Sequence, residues 1–391
     1  MRANIKKLLG WGLNSLSGKI HHIVYRPKRS ASPLADRTLA DALRLAELPS
    51  PCPGEEKRAA FVRKRLAGAG LAPVTVKGEG GGLLVRLDPP GEGKRPPILL
   101  YTGLRSYRWH PTESLARLDR ENAEGAGLSG ALGPAALLSL AERIASGRLR
   151  VNRGIILFFS VLSPADPENQ YHTLLDELGE KPAAVVGLRG FSLGLIIRPR
   201  AFCRQRITFP PPPGQSEKYR EYAAADAAVS TSGYLLEKSR ENGVDFHIRR
   251  IEGGVSGGDG GAVLETDTEA SDGGLLAQFT DLVKSEAERR AGEAGISAGV
   301  QILSFVSPGD PAVSRGLFDI LMTVMRKERV RIREEDGMDT AGLFSAEGIP
   351  ALSLGLALGR AEASYDIVGI ASVEKGRRLL ERFIVSMGEK L

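Results

Sequence analysis

PILLYTGLRSYRW, residues 97–109, runs apolar from Pro97 to Leu100 and then turns polar. A run that is apolar on both parities suits a strand covered on both sides, as in a parallel sheet. The ends of such strands are where open α/β sheets place their chemistry. Here that end carries Gly103 and Arg105, and no acid, base, nucleophile or metal ligand stands beside them.

Similar runs recur at 154–162 (GIILFFSVL), 183–188 and 351–356, alternating with helical patterns such as 134–145 and 373–387. The alternation predicts an α/β fold with a largely parallel sheet covered on both faces. Upstream, Asp36 is a candidate cap for a helix that groups Leu39, Ala42, Leu43 and Ala46 and stops at Pro49. A second helix opens at Glu55-Glu56 and buries Val62, Leu66 and Ala69. Strands at 73–76 and 83–87 flank Gly78-Glu79-Gly80-Gly81-Gly82, which opens no helix and so reads as a turn, not a phosphate loop.

The chain has 391 residues, enough for two cores, with 42% hydrophobic and 26% charged residues, as in soluble globular proteins. No run approaches the length of a membrane span. The net charge of +6 is scattered and aromatics make up only 6%, so no nucleic-acid surface is expected. Two cysteines, Cys52 and Cys203, make neither a disulfide framework nor a zinc cluster, and a cytoplasmic, reducing location is expected. Residues 1–30 pair Arg2, Lys6 and Lys7 with Ile5, Leu8, Leu9, Leu13 and Leu16 at helical spacing. This segment suits either weak contact with an anionic membrane surface or packing against the protein's own body or a partner.

Between 205 and 310 the texture changes. The cluster Pro210 to Pro213 leads to a helix at 217–238, a strand at 244–251, a glycine-rich turn, a strand at 262–266, a helix at 275–290 and a strand at 299–306. That order closes into an α+β unit of inserted-domain size, which separates a first α/β part (31–204) from a second (311–391).

Three stretches carry a resemblance. Leu45-Ala46-Glu47-Leu48-Pro49-Ser50-Pro51 with Glu55, the turn IEGGVSGGDGG, and DGMDTAGLFSAEGIPALSLGLALG (336–359) are similar to segments of the zinc-dependent exopeptidases of the aminoacylase, peptidase T and carboxypeptidase G type. The resemblance implies a zinc-exopeptidase-like (phosphorylase/hydrolase-like) sandwich with an inserted lid that often mediates homodimerisation. It also implies a peptide-like or carboxylate ligand, and two zinc ions held by an H-x-D, the acid of G-x-x-D-x-K-G, an E-E pair, a further acid and a final His. Matched residue by residue, H-x-D falls on Gly103-Leu104-Arg105, and the bridging acid falls in Gly127 to Gly133, which includes Ser129. The acidic pair falls on Ser163-Pro164, the next acid near 187–190, and the final His on Glu362. The implied metal set is missing, and a guanidinium at 105 would repel divalent cations.

The expectation is therefore a pseudoenzyme without metal cofactor, in a binding or scaffolding role. The alternative is a peptidase or amidohydrolase with a rearranged site built from Glu362, Asp166 or Glu168, and His110. A third reading makes the N-terminal helix the working part at a membrane surface. Arg105 has two candidate roles: a plug paired with Glu362 or Asp339, or an anion-binding fork. Asp339 is a candidate helix cap. Ser129 and Ser163 lack a base at triad spacing, with only His110 and His172 near in sequence. Cys203 and His247 read as packed structural residues.

Overall fold

The structure is a computed structural model that describes residues 33–391 apart from 49, 51–53, 77–81, 89–94, 106–115, 162–173, 212–216, 254–260, 307, 338, 340 and 363. The segment 1–30, most of the 78–82 turn, Cys52, His110, Ser163, Pro164, Asp166, Glu168 and His172 lie outside the described residues.

The chain opens with α1 (Pro33–Glu47), α2 (Glu56–Gly68), β1 (Val74–Val76), β2 (Gly82–Leu87) and β3 (Ile98–Gly103). Next come β4 (Arg117–Leu118), β5 (Asn122–Gly125), α3 (Leu128–Ala145), β6 (Ile155–Ser160), β7 (Ala184–Leu193) and β8 (Leu195–Pro199). A second unit follows: β9 (Ala201–Phe209), α4 (Glu217–Asn242), β10 (Asp245–Gly253), β11 (Ala262–Ala270), α5 (Gly273–Glu293) and β12 (Gly299–Val306). The chain ends with a 3-10 turn (Pro311–Ser314), α6 (Arg315–Lys327), β13 (Arg333–Gly337), α7 (Ala341–Ala346), β14 (Ala351–Gly355), β15 (Gly359–Ala361), β16 (Asp366–Gly369) and α8 (Ile370–Lys390).

The main sheet has the order β1-β2-β6-β3-β7-β14. Strands β6, β3, β7 and β14 run parallel, and β2 and β1 extend the sheet antiparallel at one edge. Every residue of β6 and β14 is buried, and β3 is buried up to Gly103. This is the α/β class that the unbroken apolar runs imply, because a strand covered on both faces has no polar parity. On one face Ile98, Leu100, Leu157 and Phe159 pack with Leu132, Leu321, Leu380 and Phe383 from the helices. On the other face Leu99, Tyr101, Ile156 and Phe158 pack with Ala341 and Phe344, and with Phe202 and Val306 from the ends of the second unit.

The second unit forms an antiparallel sheet in the order β10-β11-β9-β12, with the β-α-β-β-α-β succession. Its core is separate and lies between the sheet and helices α4 and α5. The strand β9 was not signalled in the sequence, and the texture change near 204 falls inside it. The apolar triplet Ala201-Phe202-Cys203 continues the character of β8, so composition does not break where the chain crosses over.

Two helix starts also differ from expectation. Asp36 sits within the first turn of α1, because Pro33 occupies a position near the helix start that suits its fixed φ. Helix α3 begins at Leu128, well before 134, and holds Pro134 in its interior. Its first turn is supported by contacts from distant elements, as described below. Among the described residues no helix is long and apolar enough to cross a membrane.

Phe159 is fully buried at the centre of the sheet. Truncation by Phe159→Ala is expected to cost about 3–5 kcal/mol, read as a lower urea midpoint with an unchanged denaturant slope.

Candidate functional site

The C-terminal end of β3 is held from beneath. Leu104, fully buried, donates its N–H to the Ser160 carbonyl at 2.8 Å, which extends the β3–β6 ladder by one bond. Its own carbonyl accepts from Ser50 Oγ at 2.8 Å and from Arg58 Nη1 at 3.0 Å. Arg58 lies in the first turns of α2 with no exposed surface, and burial lowers its pKa to about 10, against an opposing pull from the charge of Glu55. Glu55 is also buried, and its Oε2 accepts the Gly54 N–H at 2.9 Å. The similarity of Leu45–Ser50 and Glu55 to a family turn thus marks a place where a loop and a helix grip the strand end.

Beside it stands the first turn of α3. Gly127 takes the left-handed conformation (φ 70°) that glycine adopts without strain. Ser129 donates its backbone N–H at 2.9 Å and its Oγ–H at 2.7 Å to Asp366 Oδ2. A carboxylate here satisfies an otherwise orphaned helix N–H and complements the helix dipole. Asp366 is fully buried on β16, and its role had no signal in the sequence, since it lies far along the chain from Ser129.

The backbones here come closer than side chains would allow. A Cβ on Gly130 would lie 2.9 Å from the Arg105 carbonyl oxygen, and one on Gly190 only 1.8 Å from that of Ser129. A Cβ on Gly187 would lie 2.6 Å from the Tyr101 hydroxyl and 2.8 Å from Ser353 Oγ. The register explains the last crowding: Tyr101, Gly187 and Ser353 are neighbours across β3, β7 and β14. When the G-x-x-D-x-K-G spacing is laid on Gly127 to Gly133, the acid falls on Gly130. The following acidic position falls within 187–190. At these addresses backbone and neighbouring side chains fill the space that a carboxylate would need.

The remaining acids are committed elsewhere. Glu362 directly follows β15 and accepts from Arg360 Nε at 2.7 Å; Arg360 is exposed and Glu362 half-buried. Asp339 Oδ1 accepts from Ser353 Oγ at 2.7 Å and from the Ala341 N–H at 3.2 Å, which is the capping contact the sequence suggested for α7. Burial pushes the Asp339 carboxyl above its ordinary value of 3.8, although the Ser353 bond and the Arg189 charge pull it back. Arg105 is half-buried at the strand end. Ser163 and Pro164 lie outside the described residues. Among the described residues no three His, Cys, Asp or Glu side chains gather as a metal site. The donor set and the available space therefore do not fit a two-zinc centre at the positions the resemblance implies.

The fold is similar to that of several solved peptidase structures. It superposes on aminopeptidase PepT from Bacillus cereus with a TM-score of 0.67 and 13% identity, covering 90% of this chain and 98% of that one. For the Bacillus subtilis YXEP protein, described as a dinuclear metal-binding peptidase of the M20 family, the TM-score is 0.65 at 13% identity, over 93% and 100% of the two chains. For human carnosine dipeptidase 1 it is 0.66 at 10% identity, over 91% and 97%. No protein-family model and no curated protein matches the sequence.

Two variants probe this arrangement. Asp366→Ala leaves the half-buried Ser129 N–H and hydroxyl without their carboxylate acceptor and is expected to cost about 1–3 kcal/mol, measured by urea unfolding. A carboxyl whose pKa is raised on folding favours the folded state below its unfolded value and opposes it as pH rises through the folded value. Asp339→Asn, which keeps an oxygen acceptor for Ser353 and Ala341, is therefore expected to gain in Tm over the parent as pH rises from about 4 to 8.

Proposed function

We propose that this chain is a peptidase/amidohydrolase-like protein that has given up the two-metal centre and works as a non-catalytic binding or scaffolding protein. The observation that carries this reading is the contact of backbones at the strand ends. Gly130 faces the Arg105 carbonyl, and Gly190 faces the Ser129 carbonyl, with no room for an acid at either position.

The chemistry of the remaining groups supports it. Hydrolysis of an amide through a metal-bound water needs ligands and a nearby base. Asp366 is used as a helix anchor, Asp339 accepts from Ser353 and the Ala341 N–H, and Glu362 accepts from Arg360 just beyond β15. Arg105 remains at the cleft address, and its planar fork suits a ligand carboxylate of the kind a peptide end supplies. In this reading the unit spanning β9 to β12 serves as the lid over that cleft.

The test is metal content of the purified protein, with and without added zinc or cobalt, together with amino-acid release from dipeptides and N-acyl amino acids. Less than roughly a tenth of a metal ion per chain, as an order-of-magnitude ceiling, and no turnover are expected. A stoichiometric metal with chelator-sensitive turnover would establish the rearranged hydrolase instead. A thermal-shift screen of peptides and small carboxylates is expected to find a stabilising ligand whose effect is lost in Arg105→Met.

A further inference from the structure

In the second unit, polar side chains are buried where an apolar core would be expected. On β9, Cys203, Gln205, Ile207 and Phe209 alternate toward helices α4 and α5, and on β11 so do Leu264, Thr266 and Thr268. Gln205 and Thr266 are direct cross-strand partners, and Thr268 stands opposite Cys203 one pleat further on. Cross-strand partners on one face bring their Cβ atoms to about 5 Å. Gln205, Thr266, Thr268 and Thr231 of α4 have no exposed surface. Both polar atoms of the Gln205 amide and the three threonine Oγ1 atoms are buried without a hydrogen-bond partner.

Counted along the elements, Thr231 falls at about the level of this pair. Helix α4 returns along β9 and delivers the chain to β10. Thr231 is roughly 16 Å from the helix end at 1.5 Å per residue, and Gln205 roughly 13 Å from the start of β9 at 3.3 Å per residue. Its neighbours on the buried side of the helix, Ala224, Ala227 and Ala228, are small and buried.

We propose that Gln205, Thr266, Thr268 and Thr231 enclose ordered water between the sheet and the helices, an internal hydration site on which the second unit depends. Buried polar groups in folded proteins are almost always satisfied, and enclosed water does this where side chains do not reach one another. The lining selects the ligand. An amide and three hydroxyls offer donors and acceptors without net charge, so an ion would be unpaired there. The thiol of Cys203, pushed up to about 11 by burial, adds no charge. A small neutral molecule that both donates and accepts is what fits.

The test uses the full chain. A high-resolution crystal structure is expected to show water within hydrogen-bond distance of the Gln205 amide and at least one of the threonine hydroxyls. Thr266→Val and Thr268→Val separate the wet core from a dry one by the sign of their effect. If water is bound, each variant removes one of its partners and lowers Tm by about 1–4 °C. If the core is dry, each removes an orphaned hydroxyl and raises Tm. A rise, or a structure in which these side chains bond only to one another, overturns the proposal. Thr→Val is isosteric, so both variants remain readable if the larger change Gln205→Met fails to fold.

Discussion

The carboxylate of Asp366 anchors the first turn of α3 through Ser129, and the position of that turn sets how closely β3, β7 and α3 meet. Once α3 is fixed there, Gly130 must face the Arg105 carbonyl, and Gly190 must pass the Ser129 carbonyl. A Cβ on Gly133, further along the helix, would lie 2.2 Å from Thr102 Oγ1 and 3.1 Å from the Leu188 carbonyl oxygen. Glycines on the helix and on β7 allow this approach. Ser50 and Arg58 complete the arrangement from the other side by holding the Leu104 carbonyl.

Ion pairs between elements tie the helical layer to this frame. Arg65 of α2 reaches Asp41 of α1 and Glu142 of α3, each at 2.7 Å. Arg143 of α3 meets Glu381 of α8 at 3.0 Å. Glu328, nearly fully buried just beyond α6, is met by Arg378 and Arg382 of α8 at 2.9 and 2.7 Å. The half-exposed arginines add little energy singly. Their effect is to fix register between helices whose apolar faces alone would allow sliding.

Much of the α/β body was legible because its central strands have no polar parity and its helices are strongly patterned. The apolar run that begins at Pro97 leads into β3 within a residue, and the run at 351–356 corresponds to β14. What was missed had no local sign. The strand β9 follows another apolar segment without a break, and β4, β5, β15 and β16 are too short to show a period. The anchoring role of Asp366 depends on a partner brought near only by folding. That Gly130 and Gly187 carry no acid could be read from residue types, but the close approach of neighbouring groups to them could not.

The sequence by itself determined the class of fold, since burial on both faces demands apolar residues at every position of a strand. It also determined which residue types stand at the strand ends: Gly103, Arg105 and Glu362 are found where the resemblance implies metal-binding groups. The tertiary structure alone decided how closely the backbones meet around these positions. Distances of a few ångströms between Gly130, Gly190, Arg105 and Ser129 arise from segments far apart in the chain. Close packing at such contacts is a property of the assembled backbones, and no spacing along one segment encodes it.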